Sequence, residues 1–445
     1  FNESALRISM KQLLQFVEGV ADAKFALPLK ALRYTVGECN YGGRVTDDND
    51  RETLGYLLAR FYCAEATQGG HAFSPEDTAV YVAPPAKFDH KEYITSIENL
   101  PQIESTTAII GLHTNAQLFR NGEETKLLLS NIVKTDLSLT SSGGGSGSGS
   151  GEETAEGGEE GGGQQQQQDP IVAMTRAILN DLPLNFDVAK ASLKYPIKWE
   201  ESMNTVLVQE MGRYNRLLDE IRSGLADVAD AIRGVAIMSQ ALEEVARSIE
   251  LGHVPKQFLA KSFPSLKPLA SYFTDLNERL AFLREWAEGK PPPVYWISGF
   301  FFTQAFITGS MQNFARRSST PIDQVGFNMQ FMKKTEYASA PKSGVYIRGL
   351  FFEGSTWDVE EQLLVDCTGA TIICAAPIIL LRPVPRRDVQ EYPYACPVYR
   401  TSERRGQLST TGLSTNFVMI IRVPTKLSQA FWKMRGAALL CSLSE

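Results

Sequence analysis

The chain has 445 residues, of which 43% are apolar, and its formal net charge is −7. This length predicts two or three domains instead of a single core. Five acids lie between residues 152 and 160, and without them the charge of −7 becomes −2, which argues against a nucleic-acid-binding surface.

The N-terminus and the cysteines indicate the cellular context. The first residues, Phe1-Asn2-Glu3-Ser4, include no initiator methionine and no signal-peptide pattern, so we expect a fragment of a longer protein. The six cysteines form no Cys-x-x-Cys pair and the four histidines are scattered, so the sequence has no zinc-binding spacing. Buried, reduced thiols in a reducing compartment are the simplest interpretation.

Three helices are predicted before residue 62. The first is capped by Asn2 or Ser4, and the second runs from Leu29 to Val36 and ends at Gly37. The third follows Asp47 to Asp50. These side chains can cap its first turn, and their negative charge interacts favourably with the positive end of the helix dipole. The apolar residues at helical spacing are Leu6, Met10, Leu13, Leu14 and Val17 in the first helix and Leu54, Leu57, Leu58 and Phe61 in the third.

The turn between the second and third helices is open to two interpretations. Residues 37–51 read Gly-Glu-Cys-Asn-Tyr-Gly-Gly-Arg-Val-Thr-Asp-Asp-Asn-Asp-Arg, and a glycine turn with a nearby arginine attracts anions. The alternative is a tight turn whose acids cap a helix and whose arginine pairs with Asp47 or with a neighbouring subdomain. We favour the tight structural turn over the anion-binding site, and we expect its residues to lie at an interface. These candidate interface residues are Gly42, Gly43, Arg44, Asp47 and Asp50.

A low-complexity stretch separates the two halves of the chain. Residues 138–168 consist largely of Gly/Ser, Gly/Glu and glutamine repeats, which bury too little apolar surface to fold, so we predict a disordered linker. A last helix before it is predicted from Gly122 to Val133. The expected domains are 1–137, 169–320 and 321–445.

A long helix is predicted in the second half. Apolar residues recur at spacings of three and four over 33 residues, which is a heptad pattern. A second helix with the same spacing would pack antiparallel against it, and the alternative is a self-dimerising coiled coil. The two series are Met203, Leu207, Met211, Tyr214, Leu218, Ile221, Leu225, Val228, Ile232 and Val235, and then Leu269, Phe273, Leu276, Leu280 and Leu283.

The uncharged segment from Pro291 to Ala315 is long enough to span a bilayer, but its polar residues and prolines favour a buried core helix. After about Pro321 the pattern changes to short strands between turn residues, at 345–352, 371–381, 394–399, 417–423 and 437–443. The predicted class is α+β, with helices followed by a small antiparallel β-barrel or sandwich, of which we favour the barrel.

Candidate binding residues also occur between two of these strands. Arg400, Arg404 and Arg405 lie in a hydroxyl-rich segment that would contact a phosphate or an acidic partner; the alternative is an ordinary hairpin loop. The sequence contains no Gly-x-x-x-x-Gly-Lys-[Ser/Thr] phosphate loop, no His-Glu-x-x-His motif and no EF-hand loop. We therefore predict no catalytic, nucleotide-binding or metal site in these 445 residues.

Five segments resemble dynein heavy chains. Residues 37–48 are similar to the small (lid) subdomain of the last AAA+ module, and four later segments are similar to the dynein C-terminal domain. Those four read Ser-Met-Asn-Thr-Val-Leu-Val-Gln-Glu-Met (202–211), Pro-Ser-Leu-Lys-Pro-Leu (264–269), Trp-Ile-Ser-Gly-Phe-Phe-Phe-Thr-Gln (296–304) and Thr-Ser-Glu-Arg-Arg-Gly (401–406). The last of these, with its following residues, resembles axonemal forms, and the sequence as a whole is similar to single-headed inner-arm types.

The sequence also departs from this family. Asn49 stands where the family usually has Trp, and Leu413 stands where His is common. The Gly/Glu/Gln insertion is unusual in length and composition. These positions lie in turns or in the predicted linker, so they leave the expected fold unchanged.

The resemblance implies a minus-end-directed microtubule motor that drives bending of cilia and flagella from within the axoneme. It implies a lid at 1–137 and a C-terminal domain with a helical part at 169–320 and a barrel at 321–445. ATP and magnesium would bind in earlier AAA+ modules, so this part would have no cofactor and no catalytic site.

The resemblance also implies partners. They would be the upstream AAA+ modules, the microtubule through an absent stalk, and dynein intermediate or light chains or other axonemal proteins. We expect no nucleic acid and no membrane. The expected role is mechanical, as ring closure and cap; the alternatives are a partner-binding regulatory module or an independent NTPase.

Overall fold

The structure is a computed structural model that describes part of the protein. The described residues are 8, 10–12, 14, 15, 18, 28–41, 45, 47–73, 82–85, 89–100, 114–142, 170–367, 371–403 and 415–444. They fall into two compact units. The first comprises Phe1–Arg120, Pro293–Ser298 and Ser310–Leu443, and the second comprises Asn121–Pro292, Gly299–Gly309, Ser444 and Glu445.

The first unit begins with helices close to those predicted. Residues 8, 10–12, 14, 15 and 18 are helical, α1 spans Leu29–Tyr34, and α2 spans Asp48–Phe61. The predicted end at Gly37 is wrong, because α1 continues as a π-helical turn, Thr35–Tyr41. A Cβ atom on Gly37 would lie 3.0 Å from Leu58 Cδ1, so close packing on α2 explains this glycine.

Two further helices follow α2. Helix α3 spans His90–Glu98 and begins with a capping box formed by Asp89 and Glu92. Helix α4 spans Thr114–Ser142 and so begins eight residues before the predicted Gly122.

The strands of the first unit form separate sheets. The strands are β1 Val294–Trp296, β2 Val325–Phe331, β3 Val345–Arg348, β4 Phe351–Glu353, β5 Thr356–Asp358, β6 Leu363–Val365, β7 Ile373–Ala375, β8 Ile379–Pro385, β9 Tyr394–Tyr399, β10 Phe417–Val423 and β11 Ala438–Leu440. In the described part, their order in the sheets is β1-β3-β8-β2, β10-β9-β11-β4-β7 and β5-β6.

The α+β class is confirmed, but the small antiparallel barrel is not supported. The described strands lie in three sheets, and the pairs β1–β3 and β9–β11 are parallel. One predicted strand, 345–352, is divided at Gly349, whose φ is +91°. A Cβ atom there would lie 2.3 Å from Trp296 Cδ1, so a tertiary contact imposes this break.

The second unit is built on the long helix α7, Ser202–Ile232, as the heptad pattern predicts. It ends before Val235, which is exposed. Gly224 allows close approach of Phe258, since a Cβ atom would lie 2.8 Å from the ring. The helices that pack against α7 are α5 Pro170–Asp181, α6 Val188–Lys194, α8 Gln240–Glu250, α9 Lys256–Ala260 and α10 Leu269–Glu288.

The segment predicted as one core helix contains three elements. Strand β1 is followed by a 3₁₀ turn, Ile297–Gly299, and by helix α11, Thr303–Ser318. Within the second unit, the rings of Phe300 and Phe306 stack with centroids 4.6 Å apart. None of the helices in the described ranges is sufficiently long and apolar to cross a membrane.

The six cysteines are free thiols, as the sequence analysis predicts, but only two of them are buried. Cys396 and Cys441 lie in the core of the first unit, whereas Cys39 is exposed. The expectation of six buried thiols is therefore wrong. The cysteine spacing predicts that the thiols are free, but it does not predict which of them are buried.

A buried carboxylate fixes the loop after Gly299 to α7 in the second unit. Glu210 is fully buried and accepts hydrogen bonds from the backbone nitrogens of Phe301 and Phe302, the second at 3.2 Å. Arg213, one helical turn away, donates to the same carboxylate at 2.8 Å. The carboxylate thus satisfies backbone donors that this loop leaves without helix or sheet partners.

Glu210→Ala is expected to lower the free energy of unfolding by about 2–4 kcal/mol, because two amide donors and Arg213 lose a buried acceptor. Urea unfolding followed by circular dichroism measures this loss. Glu244→Ala, which removes an exposed pair with Lys256, is the matched control and should change stability by no more than about 1 kcal/mol. Equal effects of the two substitutions would contradict this role of Glu210.

Burial raises the pKa of Glu210 above its ordinary value of 4.5, against the opposing effect of its hydrogen bonds. The folded state then binds the proton more tightly than the unfolded state, so the contribution of this group is greatest at low pH. The stability of the wild type relative to Glu210→Gln should therefore fall as pH rises from about 4 to 7. Paired urea titrations across this range test the sign, and a relative stability that rises with pH would refute it.

Candidate interface site around Asp47 and Tyr399

Asp47 is the N-cap of helix α2. Its backbone is extended, and its side chain accepts hydrogen bonds from the backbone nitrogens of Asn49 at 2.9 Å and Asp50 at 3.3 Å. These are two of the donors that the first turn of a helix leaves unpaired, so the capping role expected from the sequence is confirmed. The residue is nevertheless 4% exposed, which is unusual for a carboxylate on a surface helix.

The burial of Asp47 is explained by strand β9. The hydroxyl of Tyr399, the last residue of β9, donates to the carboxylate and lies 3.0 Å from each of its oxygens. Tyr399 is fully buried and packs with Ala438 and Leu440 of β11. Asp47 therefore joins the beginning of α2 to a five-stranded sheet that is about 350 residues away in sequence.

Asn49 extends the contact to the last helix. Its amide nitrogen donates to the Tyr399 hydroxyl at 3.0 Å, and its amide oxygen accepts from Lys433 Nζ at 2.5 Å. Lys433 lies on α12, Gln429–Arg435, and its ammonium also pairs with Glu52 Oε2 at 2.8 Å. The side chain of Lys433 is 5% exposed and that of Glu52 is 48% exposed, so this pair lies at the edge of the contact.

A backbone contact strengthens the same junction. The hydroxyl of Thr53, on the next turn of α2, donates to the carbonyl of Lys433 at 3.3 Å and to the carbonyl of Asn49 at 3.0 Å. We call the set Asp47, Asn49, Glu52, Tyr399 and Lys433 the Asp47 network. Its two buried charged groups, Asp47 and Lys433, each have hydrogen-bond partners, which is the condition for burying such groups without a large cost.

The predicted interface residues have different outcomes. Asp47 is central to the network, and Asp50 lies in the first turn of α2 beside it. Arg400 follows Tyr399 and is partly buried, and this burial lowers the pKa of its guanidinium. The remaining candidates lie outside the described residues: Gly42, Gly43, Arg44, Arg404 and Arg405.

Sequence reasoning did not find the partners of Asp47. Tyr399 ends a correctly predicted strand, but an alternating pattern does not reveal what a strand terminus contacts. Helix α12, which carries Lys433, was not predicted. Its start and stop signals are present, since Ser428 caps it with a hydrogen bond from Phe431 N, and Gly436 ends it with a left-handed φ of +67°.

The Asp47 network has the chemistry of a structural joint. Within the described ranges, no group of three or more His, Cys, Asp or Glu side chains is arranged to hold a metal ion. The carboxylate of Asp47 already accepts from two backbone amides and one hydroxyl. The arrangement can therefore hold two elements together, and its polar side chains already use one another and the α2 backbone as hydrogen-bond partners.

Comparison with known proteins identifies the two parts that this network joins. The family model for the AAA lid domain of the dynein heavy chain matches residues 1–116, and the model for the C-terminal domain of the dynein heavy chain matches residues 123–441. The protein belongs to the dynein heavy chain family. Asp47 and Asn49 lie in the lid match, whereas Tyr399 and Lys433 lie in the C-terminal match.

Curated relatives are similar over all 445 residues. Identity is 42% over 447 residues to dynein axonemal heavy chain 12 of Homo sapiens, 42% over 445 residues to dynein axonemal heavy chain 3 of Mus musculus, and 40% over 446 residues to dynein axonemal heavy chain 1 of Homo sapiens. Each alignment covers 100% of this sequence but only 14%, 10% and 10% of those relatives, respectively. The sequence thus matches a small part of a dynein heavy chain.

Tyr399→Phe is expected to lower the free energy of unfolding by about 1–2 kcal/mol, because Asp47 loses a donor and Asn49 loses an acceptor. Combined with Asn49→Ala in a double-mutant cycle, it should show a coupling energy of at least about 0.5 kcal/mol. Chemical unfolding of the four proteins measures both quantities. Tyr392→Phe removes a hydroxyl that donates to the exposed Gln390 and serves as the control. Additive effects at Tyr399 and Asn49 would contradict the network.

Proposed function

We propose that this protein is the C-terminal part of an axonemal dynein heavy chain and that its role is mechanical. The lid would close the ring of AAA+ modules, and the C-terminal domain would brace it. The observation that carries this proposal is the Asp47 network, in which the cap of a lid helix is hydrogen-bonded to a strand of the C-terminal domain. A joint of this kind would transmit rigid-body motion of the lid to the C-terminal domain.

The domain organisation is part of the same proposal. Residues 1–137 would form the lid, 169–320 the helical part of the C-terminal domain and 321–445 its strand-rich part. The linker predicted at 138–168 begins too early, because helix α4 continues to Ser142, and residues 143–168 lie outside the described residues. Asp47 and Asp50 would act as interface groups within this arrangement, together with Gly42, Gly43, Arg44, Arg400, Arg404 and Arg405.

The catalytic parts of the motor would lie elsewhere in the heavy chain. ATP and magnesium would bind in earlier AAA+ modules, and the microtubule would be contacted through the stalk. Intermediate or light chains and other axonemal proteins would be further partners. The whole assembly would move toward microtubule minus ends in the axoneme of cilia or flagella, and the fragment would not hydrolyse ATP by itself.

Exposed aliphatic side chains support contact with upstream modules. In the second unit, Leu184, Leu193 and Ile197 are 81%, 86% and 76% exposed, on and beside helix α6. Each would bury apolar surface worth about 1.5–3 kcal/mol if a partner covered it completely. Such side chains are expected where one module of a larger assembly packs against another.

We expect the 445-residue protein to show no hydrolysis of magnesium-ATP above buffer and to co-purify with the separately expressed remainder of the heavy chain. Leu193→Ser should weaken this co-purification by at least about fivefold, because it removes an apolar contact. Lys190→Ser, on the same helix, is the matched control. Phosphate release by the purified protein alone would overturn the proposal, as would failure of the wild type to co-purify. Unchanged co-purification of Leu193→Ser would remove α6 from the contact with upstream modules.

A further inference from the structure

Two adjacent arginines lie at the end of helix α11. Arg316 and Arg317 are followed by Ser318, the last residue of the helix, and then by Ser319. The pattern Arg-Arg-x-Ser or Arg-Arg-x-Thr occurs nowhere else in the 445 residues. Arginine-directed serine/threonine kinases select arginines two and three residues before their target, because carboxylates of the kinase pair with the guanidinium groups. Ser319 therefore stands at the target position for such a kinase.

A less strict pattern leads to the same residue. An arginine three residues before a serine or threonine occurs three times in the sequence, with Ser319, Thr320 and Thr425 as the targets. Thr425 is buried, and its hydroxyl accepts a hydrogen bond from Trp432 Nε1 at 3.0 Å. Thr320 is half-buried, and its hydroxyl lies 3.0 Å from that of Ser318. Of the three targets only Ser319 is exposed.

The backbone of Ser319 places its side chain just outside the helix. Its φ is +50°, a left-handed conformation that Gln362 is the only other non-glycine residue to share in the described part of the protein. Glycine is the usual residue at this position after a helix, because a Cβ atom is strained there. The backbone nitrogen of Thr320 donates to the carbonyl of Ala315 at 2.9 Å and closes the helix end. The hydroxyl of Ser319 has no hydrogen-bond partner among the described residues.

The end of α11 can open to a kinase, which binds the residues around its target in extended form. Ala315 is buried, whereas each of the four residues after it is exposed or half-buried. Unwinding beyond Ala315 therefore exposes little apolar surface, and it breaks the hydrogen bond from the Ser318 hydroxyl to the carbonyl of Phe314 at 2.9 Å. Helix ends open locally at low free energy, and extension also relieves the positive φ of Ser319.

We propose that Ser319 is a phosphorylation site for an arginine-directed serine/threonine kinase. Its Oγ atom attacks the γ-phosphorus of the magnesium-ATP that the kinase holds. The Oγ–phosphorus bond forms, and the bond between the γ-phosphorus and the bridging oxygen of ADP breaks. The hydroxyl proton passes to the aspartate base of the kinase, and ADP leaves. Arg316 and Arg317 bind the kinase and take no part in the transfer itself.

Phosphorylation of the 445-residue protein in vitro tests the proposal. The protein is incubated with the catalytic subunit of cAMP-dependent protein kinase and magnesium-ATP, and mass spectrometry of its peptides locates the phosphate. We expect Ser319 to be modified at no less than about one-tenth of the initial rate of a synthetic peptide of residues 313–323, since the helix end opens readily. A folded protein that carries no phosphate on Ser319, whether or not the peptide is modified, would overturn the proposal.

Two variants separate the target hydroxyl from its neighbour. Ser319→Gly removes the hydroxyl and suits a positive φ, so it should unfold at no lower temperature than the wild type and lose phosphate in residues 313–323 at least about tenfold. Ser318→Ala keeps the target and removes one hydrogen bond at the helix end, so it should be modified at the wild-type rate or faster. Equal rates for the two variants, or phosphate on Ser318 or Thr320 in place of Ser319, would contradict the assignment.

A second pair of variants tests the recognition by arginine. Arg316→Gln should lower the initial rate at least about tenfold, because the kinase loses a charge-assisted contact. Arg387→Gln removes an exposed arginine on the turn after β8 and should stay within about twofold of the wild type. The Arg316→Gln change in the 313–323 peptide should cause the same loss, which separates kinase recognition from an effect on folding. An unchanged rate for Arg316→Gln in both protein and peptide would refute an arginine-directed kinase.

Discussion

The carboxylate of Asp47 accepts hydrogen bonds from two sources that are far apart in sequence. Two backbone amides of α2 come from the local helix start, and the hydroxyl of Tyr399 comes from β9. A helix cap is ordinarily solvated on its outer side, but here that side is covered by a fully buried tyrosine. The start of a lid helix is thus fixed by the same atoms that fix the helix to the C-terminal sheet.

The second unit uses a buried carboxylate for a related purpose. Glu210 lies within α7 and accepts from the backbone of Phe301 and Phe302, so an irregular loop is held by a helix side chain. The two sites differ in their electrostatics. Burial dominates at Glu210 and raises its pKa, although Arg213 and the amides partly offset the cost. In both units a single acid supplies acceptors that secondary structure does not provide.

Local and periodic features were predicted well because their causes are near in sequence. The heptad spacing predicted α7, and the turn residues predicted β9 and β10 with their observed bounds. The barrel, the unbroken strand 345–352 and the end of α1 at Gly37 were not supported or were wrong. Each depends on a distant contact, such as Trp296 against Gly349 or Leu58 against Gly37, which no local pattern encodes.

The sequence by itself determined the family, the α+β class, the long helix and the role of Asp47 as a cap, since motif order, hydrophobic period and capping chemistry are readable along the chain. Only the tertiary structure decided that Tyr399, Asn49 and Lys433 meet at that cap and that β2 is an end strand of its sheet. Strand order and side-chain partners depend on packing between residues separated by hundreds of positions. Many pairings satisfy the same local pattern, and the packing of the folded protein selects among them.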